Sequence, residues 1–257
     1  MSSLQREGAQ LEYRIDGDGS PTLAFVHGWC SRAGHWDPFA DRFVGDHRVV
    51  RWDRRGMGAS STSEPAATAR VHADDLAALL DAEGVERVVL VAHAGGGPTA
   101  LSFATAYPDR TDALVLVDAR LHSPGDTAYE ERSAALVEAL SAPDSDEFMA
   151  ATYRTFFGDA APEDVVEEAC ANAVATPRDV AVAELAHVAT DTKGAARAVA
   201  CPVLWVSARP DDGAMVSELF ADVAVGHVVG SGHFVQVEVP DQLEAMLRTF
   251  LLRNFGA

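Results

Sequence analysis

At 257 residues, 48% hydrophobic and 23% charged, the chain is long enough to bury a full core in one large α/β domain with an inserted lobe. Its formal net charge of -19 argues against nucleic acid or an anionic membrane surface as a partner, because both bind basic faces. Of twenty basic residues only Lys193 is a lysine, and positions 121–200 hold fifteen acids against five bases, which favours neutral or weakly charged small molecules over polyanions.

Taken in chain order, Met1 to Glu7 has no apolar core and reads as no signal peptide, and no later apolar stretch approaches membrane-spanning length. Leu11 to Ile15 alternates and ends at Asp16-Gly17-Asp18-Gly19, the pattern of an antiparallel edge hairpin. The Asp-Gly pairs superficially match a calcium loop, but the remaining ligands are missing and a turn is the expectation. Continuous apolar runs at Leu23–Val26, Val49–Trp52, Val88–Val91, Ala113–Val117 and Val203–Val206 read as buried strands, with helices expected near 35–43, 69–83, 95–107 and 240–253. That alternation predicts a mainly parallel sheet covered on both faces. From about 121 to 199 the strands stop, and helix-start signals replace them at Asp146-Glu147, Pro162-Glu163-Asp164 and Pro177 with Asp179. The expected organisation is therefore a core of residues 1–120 and 200–257 with a helical cap at 121–199. Cys30, Cys170 and Cys201 are scattered, odd in number and without metal-ligand spacing, so a reducing cytoplasm and no disulfide, metal or cofactor are expected. The oligomeric state is left open.

Four motifs carry the chemistry. Val88 to Gly97 is an apolar run that stops at Ala92-His93-Ala94-Gly95-Gly96 and restarts as a helix, the shape of a nucleophile elbow with Ala94 where the nucleophile belongs. Val26-His27-Gly28-Trp29-Cys30 ends an early strand, Trp52 to Ser60 follows the next, and Gly230-Ser231-Gly232-His233 precedes the last helix. In this order the motifs resemble the α/β-hydrolase superfamily, in particular its small capped esterases and perhydrolase-like serine hydrolases.

The resemblance implies an α/β-hydrolase fold, with His233 as the general base and the N–H groups of Gly95 and Trp29 as the oxyanion hole. It implies a carboxylate after the strand Val203–Val206, which alignment puts at Asp211, with Asp212 and Asp118 as alternatives. Asp53, Arg54 and Arg55 match a turn with no catalytic role. Around the site, Cys30, His93, Tyr129, Tyr153, Phe156 and His187 are candidates to contact substrate, although Cys30 reads better as an inert buried thiol than as a replacement nucleophile.

Alanine cannot attack a carbonyl, and three origins account for it. It replaces a serine, or the aspartate of a dehalogenase or epoxide hydrolase, or it is native to a protein without covalent catalysis. The aspartate origin fits worst, because Gly95 stands where those families place tryptophan and Cys30 stands where epoxide hydrolases favour proline. Retention of the histidine, the acid and both hole-forming segments favours an engineered loss of serine, and with it a hydrolase of neutral carboxyl esters or lactones. The alternative is a non-covalent acid/base enzyme (a lyase, isomerase or cyclase), or a ligand-binding protein.

Overall fold

The computed structural model describes residues 1–63, 67–159, 161–185, 190–209 and 213–256. Eight strands, β1 (Ser2–Arg6), β2 (Ala9–Asp16), β3 (Leu23–Val26), β4 (Val49–Trp52), β5 (Val88–His93), β6 (Thr111–Val117), β7 (Val203–Ser207) and β8 (Val223–His227), form one sheet ordered β1-β2-β4-β3-β5-β6-β7-β8. Pairing is antiparallel from β1 through β2 to β4 and parallel elsewhere. Eleven α-helical segments are described. In the first half these are α1 (Asp37–Ala40), α2 (Ala69–Ala82) and α3 (Gly97–Ala106). Between β6 and β7 come α4 (Thr127–Leu140), α5 (Ser145–Arg154), α6 (Glu163–Ala175), α7 (Arg178–Leu185) and α8 (Thr192–Ala198). The chain closes with α9 (Gly213–Leu219), α10 (Val235–Glu238) and α11 (Pro240–Phe255).

The unbroken apolar strands follow from burial on both faces. Successive β5 side chains alternate between two cores. Val88, Leu90 and Ala92 pack under α2, α3, α8 and α9, and Val89 and Val91 pack against α1 and α11. In β6, Leu114 and Leu116 face the first core, and Ala113, Val115 and Val117 the second. At about 25 cal/mol per Å² of apolar surface, these two layers supply most of the drive for folding.

Helices α4 to α7 carry a third core built on Leu140, Met149, Tyr153, Val166, Ala169, Ala173 and Ala181. Cys30 and Phe234 enter that cluster from the loops after β3 and before α10, so the lobe is seated on the C-terminal end of the sheet. Helix α8 behaves differently, since Ala196 belongs to the core beneath α2 and α3.

Two details differ from the sequence reading. Leu11–Ile15 lies second from the sheet edge, and its hairpin runs back across Glu7-Gly8 to β1, not through Asp16–Gly19. Strands β1 and β8 carry too little burial to show an apolar run, because each is an edge strand with one open side. No helix among the described residues is long and apolar enough to cross a membrane.

Candidate active site

The elbow forms where β5 gives way at Ala94 to a single 3-10 turn, Ala94–Gly96, that leads into α3. Ala94 takes up the turn at φ +50°, in the left-handed region. The close crossing of β3 demands small neighbours, since a side-chain carbon on Gly96 would lie 2.7 Å from the carbonyl oxygens of Val26 and His27. Among the described residues only three non-glycine positions have positive φ: Cys30 at +48°, Ala94 at +50° and Asp118 at +43°. All three follow the C-terminal ends of neighbouring central strands β3, β5 and β6. Each costs on the order of 1–2 kcal/mol, and strain of this kind persists where the surrounding structure enforces it, characteristically at functional sites.

Opposite the elbow, His233 Nδ1 lies 2.5 Å from Asp118 Oδ2, with Asp118 only 3% exposed. The main-chain N–H of His233 donates to Phe156 O at 2.6 Å, tying the histidine loop to the end of α5. The other carboxylate oxygen, Asp118 Oδ1, accepts the Ala208 N–H at 3.2 Å and lies 3.6 Å from Arg209 Nη2. Burial alone would raise the Asp118 carboxyl. The hydrogen bond and charge of His233, with Arg209 behind them, outweigh burial and bring it down to about 2. Asp118 is therefore a carboxylate at neutral pH and fixes the ring so that Nδ1 carries a proton and Nε2 is left without one in the neutral tautomer.

This partner corrects the expected acid. The bond expected from Asp211 is made by Asp118, and Asp211 and Asp212 lie outside the described residues. The physical reason is register, since β6 ends beside the histidine loop and delivers Asp118 one residue past Val117.

The two segments expected to supply the oxyanion hole also meet. A side-chain carbon on Gly95 would fall 2.8 Å from Trp29 N, so the backbone after the elbow and the backbone after His27-Gly28 are in contact. His27 locks this loop. Its Nε2 accepts the Arg54 N–H at 2.9 Å, which leaves the proton on Nδ1 for Gly28 O at 3.0 Å. Burial pushes the His27 imidazole well below its ordinary range and keeps it neutral in that role.

The lobe grips the same loop from above. Tyr153 Oη donates to Trp29 O at 2.6 Å, Trp29 Nε1 to Ala181 O at 2.9 Å, and Asn172 Nδ2 to Cys30 O at 3.0 Å. Arg54 Nη2 donates to Gly28 O at 2.7 Å, while its Nη1 pairs with Glu184 of α7 at 2.5 Å. His72 Nε2 lies 2.9 Å from the same Glu184 oxygen.

The other expected contact residues are distributed unevenly. Phe156 is beside the histidine, with ring centroids 5.3 Å apart. His93 lies behind it at 4.6 Å and is buried, donating from Nε2 to His233 O at 2.8 Å. Burial and the neighbouring His233 push the His93 imidazole down to about 3, so it is a neutral support. Tyr153 stands behind Trp29 and is 1% exposed.

Cys30, expected at the substrate, is instead sealed in the lobe core, and burial pushes its thiol well above the ordinary range. Tyr129 stacks on His122 at 3.9 Å and lines a cavity whose described lining includes neither His233 nor Ala94. His187 lies outside the described residues.

Sequence reasoning gave Arg54 only a place in a non-catalytic turn and missed Glu184 and Glu238. Glu238 gathers the N–H groups of Gly158, Gly232 and Phe234, pinning the histidine loop to the lobe. The only visible signal was a charged residue in an otherwise apolar context.

A parallel sheet with a strained elbow, an imidazole–carboxylate pair across from it and backbone donors beside it defines the α/β-hydrolase class of architecture. The chain belongs to the alpha/beta hydrolase family, whose model matches residues 23–246. It is similar to a putative carbamate hydrolase RutD of Azorhizobium caulinodans, 33% identical over 117 residues, 46% of this chain and 44% of that protein. The match thus spans less than half of that relative. Among solved structures, a hydrolase from Pseudomonas aeruginosa superposes with a TM-score of 0.83 at 28% identity, covering 97% of both chains. The enol-lactonase from Burkholderia xenovorans superposes with a TM-score of 0.82 at 21% identity, over 97% of this chain and 99% of that one.

Proposed function

We propose that this is the site of a carboxyl-ester or lactone hydrolase from which the covalent nucleophile is missing. The observation that carries this reading is the His233–Asp118 pair, its imidazole 4.6 Å from the ring of His93, next to an elbow still held at positive φ although alanine gains nothing there. With serine at position 94, His233 Nε2 would take the hydroxyl proton as the oxygen attacks the acyl carbon. The Gly95 and Trp29 N–H groups would receive the tetrahedral oxyanion. Collapse would expel the alkoxide, protonated by His233, and water activated by the same imidazole would release the acid. In the Ala94 chain no acyl–enzyme bond forms. The pocket still holds the acyl compound, because the serine oxygen acts mainly in the transition state.

The test is Ala94→Ser, measured by nitrophenol release from short acyl esters and by opening of simple lactones, alone and combined with His233→Ala. Serine should raise the rate by about 10⁴–10⁶-fold, and His233→Ala should abolish that gain. No gain on any ester, thioester or lactone refutes the reading. A reaction that runs equally well with Ala94 but stops with His233→Ala assigns the site to non-covalent acid/base chemistry.

A further inference from the structure

The proposed hole donor, Trp29 N–H, belongs to the same peptide unit as the Gly28 carbonyl. That unit is trans, since the only cis bond among the described residues is Ser20–Pro21. Its N–H and C=O therefore point in opposite directions from one rigid plane. Whatever fixes Gly28 O also fixes the direction in which Trp29 N–H points.

Gly28 O accepts two hydrogen bonds, from His27 Nδ1 at 3.0 Å and from Arg54 Nη2 at 2.7 Å. One donor is enough to satisfy a buried carbonyl, whereas two arriving from separate strand ends hold the peptide plane against rotation. Donation to the carbonyl also polarises the amide and strengthens the N–H at its other end. Arg54 governs both bonds, because its own main-chain N–H donates to His27 Nε2 at 2.9 Å and leaves the His27 proton on Nδ1.

The guanidinium is held from its other end as well. Arg54 Nη1 donates to Glu184 Oε1 at 2.5 Å, and the same oxygen lies 2.9 Å from His72 Nε2 of α2. Helix α7 meets the loop twice from one face: Glu184 holds Arg54, and one turn earlier Ala181 O accepts Trp29 Nε1 at 2.9 Å. Stability gives little reason for this arrangement. The Arg54 side chain is 1% exposed and that of Glu184 9%, and a pair that deep can often be exchanged for apolar side chains at little or no cost. An apolar pair, however, could not donate to Gly28 O.

We infer that Arg54 is a positioning residue for the Trp29 N–H, held to that task by Glu184 of the lobe and His72 of α2. Its effect on turnover rests on the hydrolase reading; its effect on the Gly28–Trp29 peptide does not.

The experiment compares Arg54→Met combined with Glu184→Leu, which exchanges the pair without stranding either charge, against Leu247→Ala, a truncation in α11 in a different core from that of the lobe. In the Ala94→Ser background the double variant should lower kcat about 10–100-fold, with KM within about two-fold and the acid limb of the pH–rate profile unmoved. Leu247→Ala should leave kcat within about two-fold. In the Ala94 chain itself, where no turnover is needed, the double variant should shift the amide nitrogen resonance of Trp29 upfield, as loss of a donor at the preceding carbonyl does. The His233 amide should stay in place, and Leu247→Ala should move neither. An unmoved Trp29 amide overturns the inference whatever the kinetics. With a shifted amide, an unchanged kcat, a change in KM alone, a displaced pH profile or an equal loss in Leu247→Ala overturns the role in turnover. An inactive Ala94→Ser parent refutes the hydrolase reading and leaves the amide resonance to decide the positioning.

Discussion

Replacing Glu184 with alanine should destabilise the protein by several kcal/mol while leaving the elbow and its histidine untouched. Glu184 sits on α7 with a side chain 9% exposed, paired with an Arg54 guanidinium that is 1% exposed. Removing one partner of a buried pair leaves the other charge uncompensated, at a cost of about 3–5 kcal/mol. A second route gives a similar figure. Burial opposes ionisation of Glu184, but Arg54 and His72 outweigh it and lower the carboxyl from 4.5 to about 2. A shift of that size corresponds to roughly 3 kcal/mol. At about 2–4 °C per kcal/mol, Glu184→Ala should lower Tm by roughly 6–20 °C at pH 7, read by circular dichroism.

The pH dependence has a definite sign. A folded-state carboxyl lowered below its unfolded value stabilises the protein above about pH 4.5, and that stabilisation is lost as the pH falls toward 2. Glu184→Gln, a neutral isostere, should therefore remove that part of the acid-side loss of Tm. Replacing both partners, Arg54→Met with Glu184→Leu, should recover most of the stability. It should still depress turnover in the serine-restored enzyme, because the Gly28 carbonyl loses the Arg54 donor and keeps only His27 Nδ1. An alanine variant melting within about 2 °C of the parent, or a glutamine variant with the full acid slope, would refute the reasoning.

Three further outcomes are expected. In the Ala94→Ser background, Asp118→Asn should reduce kcat about 10³–10⁴-fold by disturbing the tautomer of His233, while Asp211→Asn changes it little; esterase kinetics decide between them. Gly95→Ala places a methyl carbon 2.8 Å from Trp29 N and should abolish turnover of the serine enzyme, and equal kcat in the two proteins would contradict the assigned hole. Ala94→Gly relieves a left-handed φ of +50° and should stabilise the chain by about 1 kcal/mol, seen as a Tm rise of a few degrees in calorimetry.

The lobe bears on the backbone of the proposed oxyanion hole. The three carbonyls of Gly28, Trp29 and Cys30 and the indole N–H of Trp29 are held by side chains or a carbonyl of α5, α6 and α7, or by Arg54 paired with α7. Cys30 is kept at positive φ by that grip, with its carbonyl on Asn172. Any displacement of α7 would thus be felt at Trp29 N–H before it is felt at the histidine.

The linear chain determined those features that depend on near neighbours. The buried strands show as apolar runs because each residue of β3, β5 and β6 meets a core on one face or the other. The elbow at Ala94 shows because a one-residue turn beside another backbone admits only small residues. His233 shows because its glycine-rich loop is a local pattern. The acid does not: Asp118 and His233 are 115 residues apart, and strand register alone decides that β6, and not the segment after β7, delivers the carboxylate. Arg54 and Glu184 are separated by 130 residues, and nothing in the sequence around either pairs them; α7 does so by folding back over the loops after β3 and β4. Periodicity and turn chemistry are written over a few residues, whereas charge pairing across a core is set by the path of the whole chain.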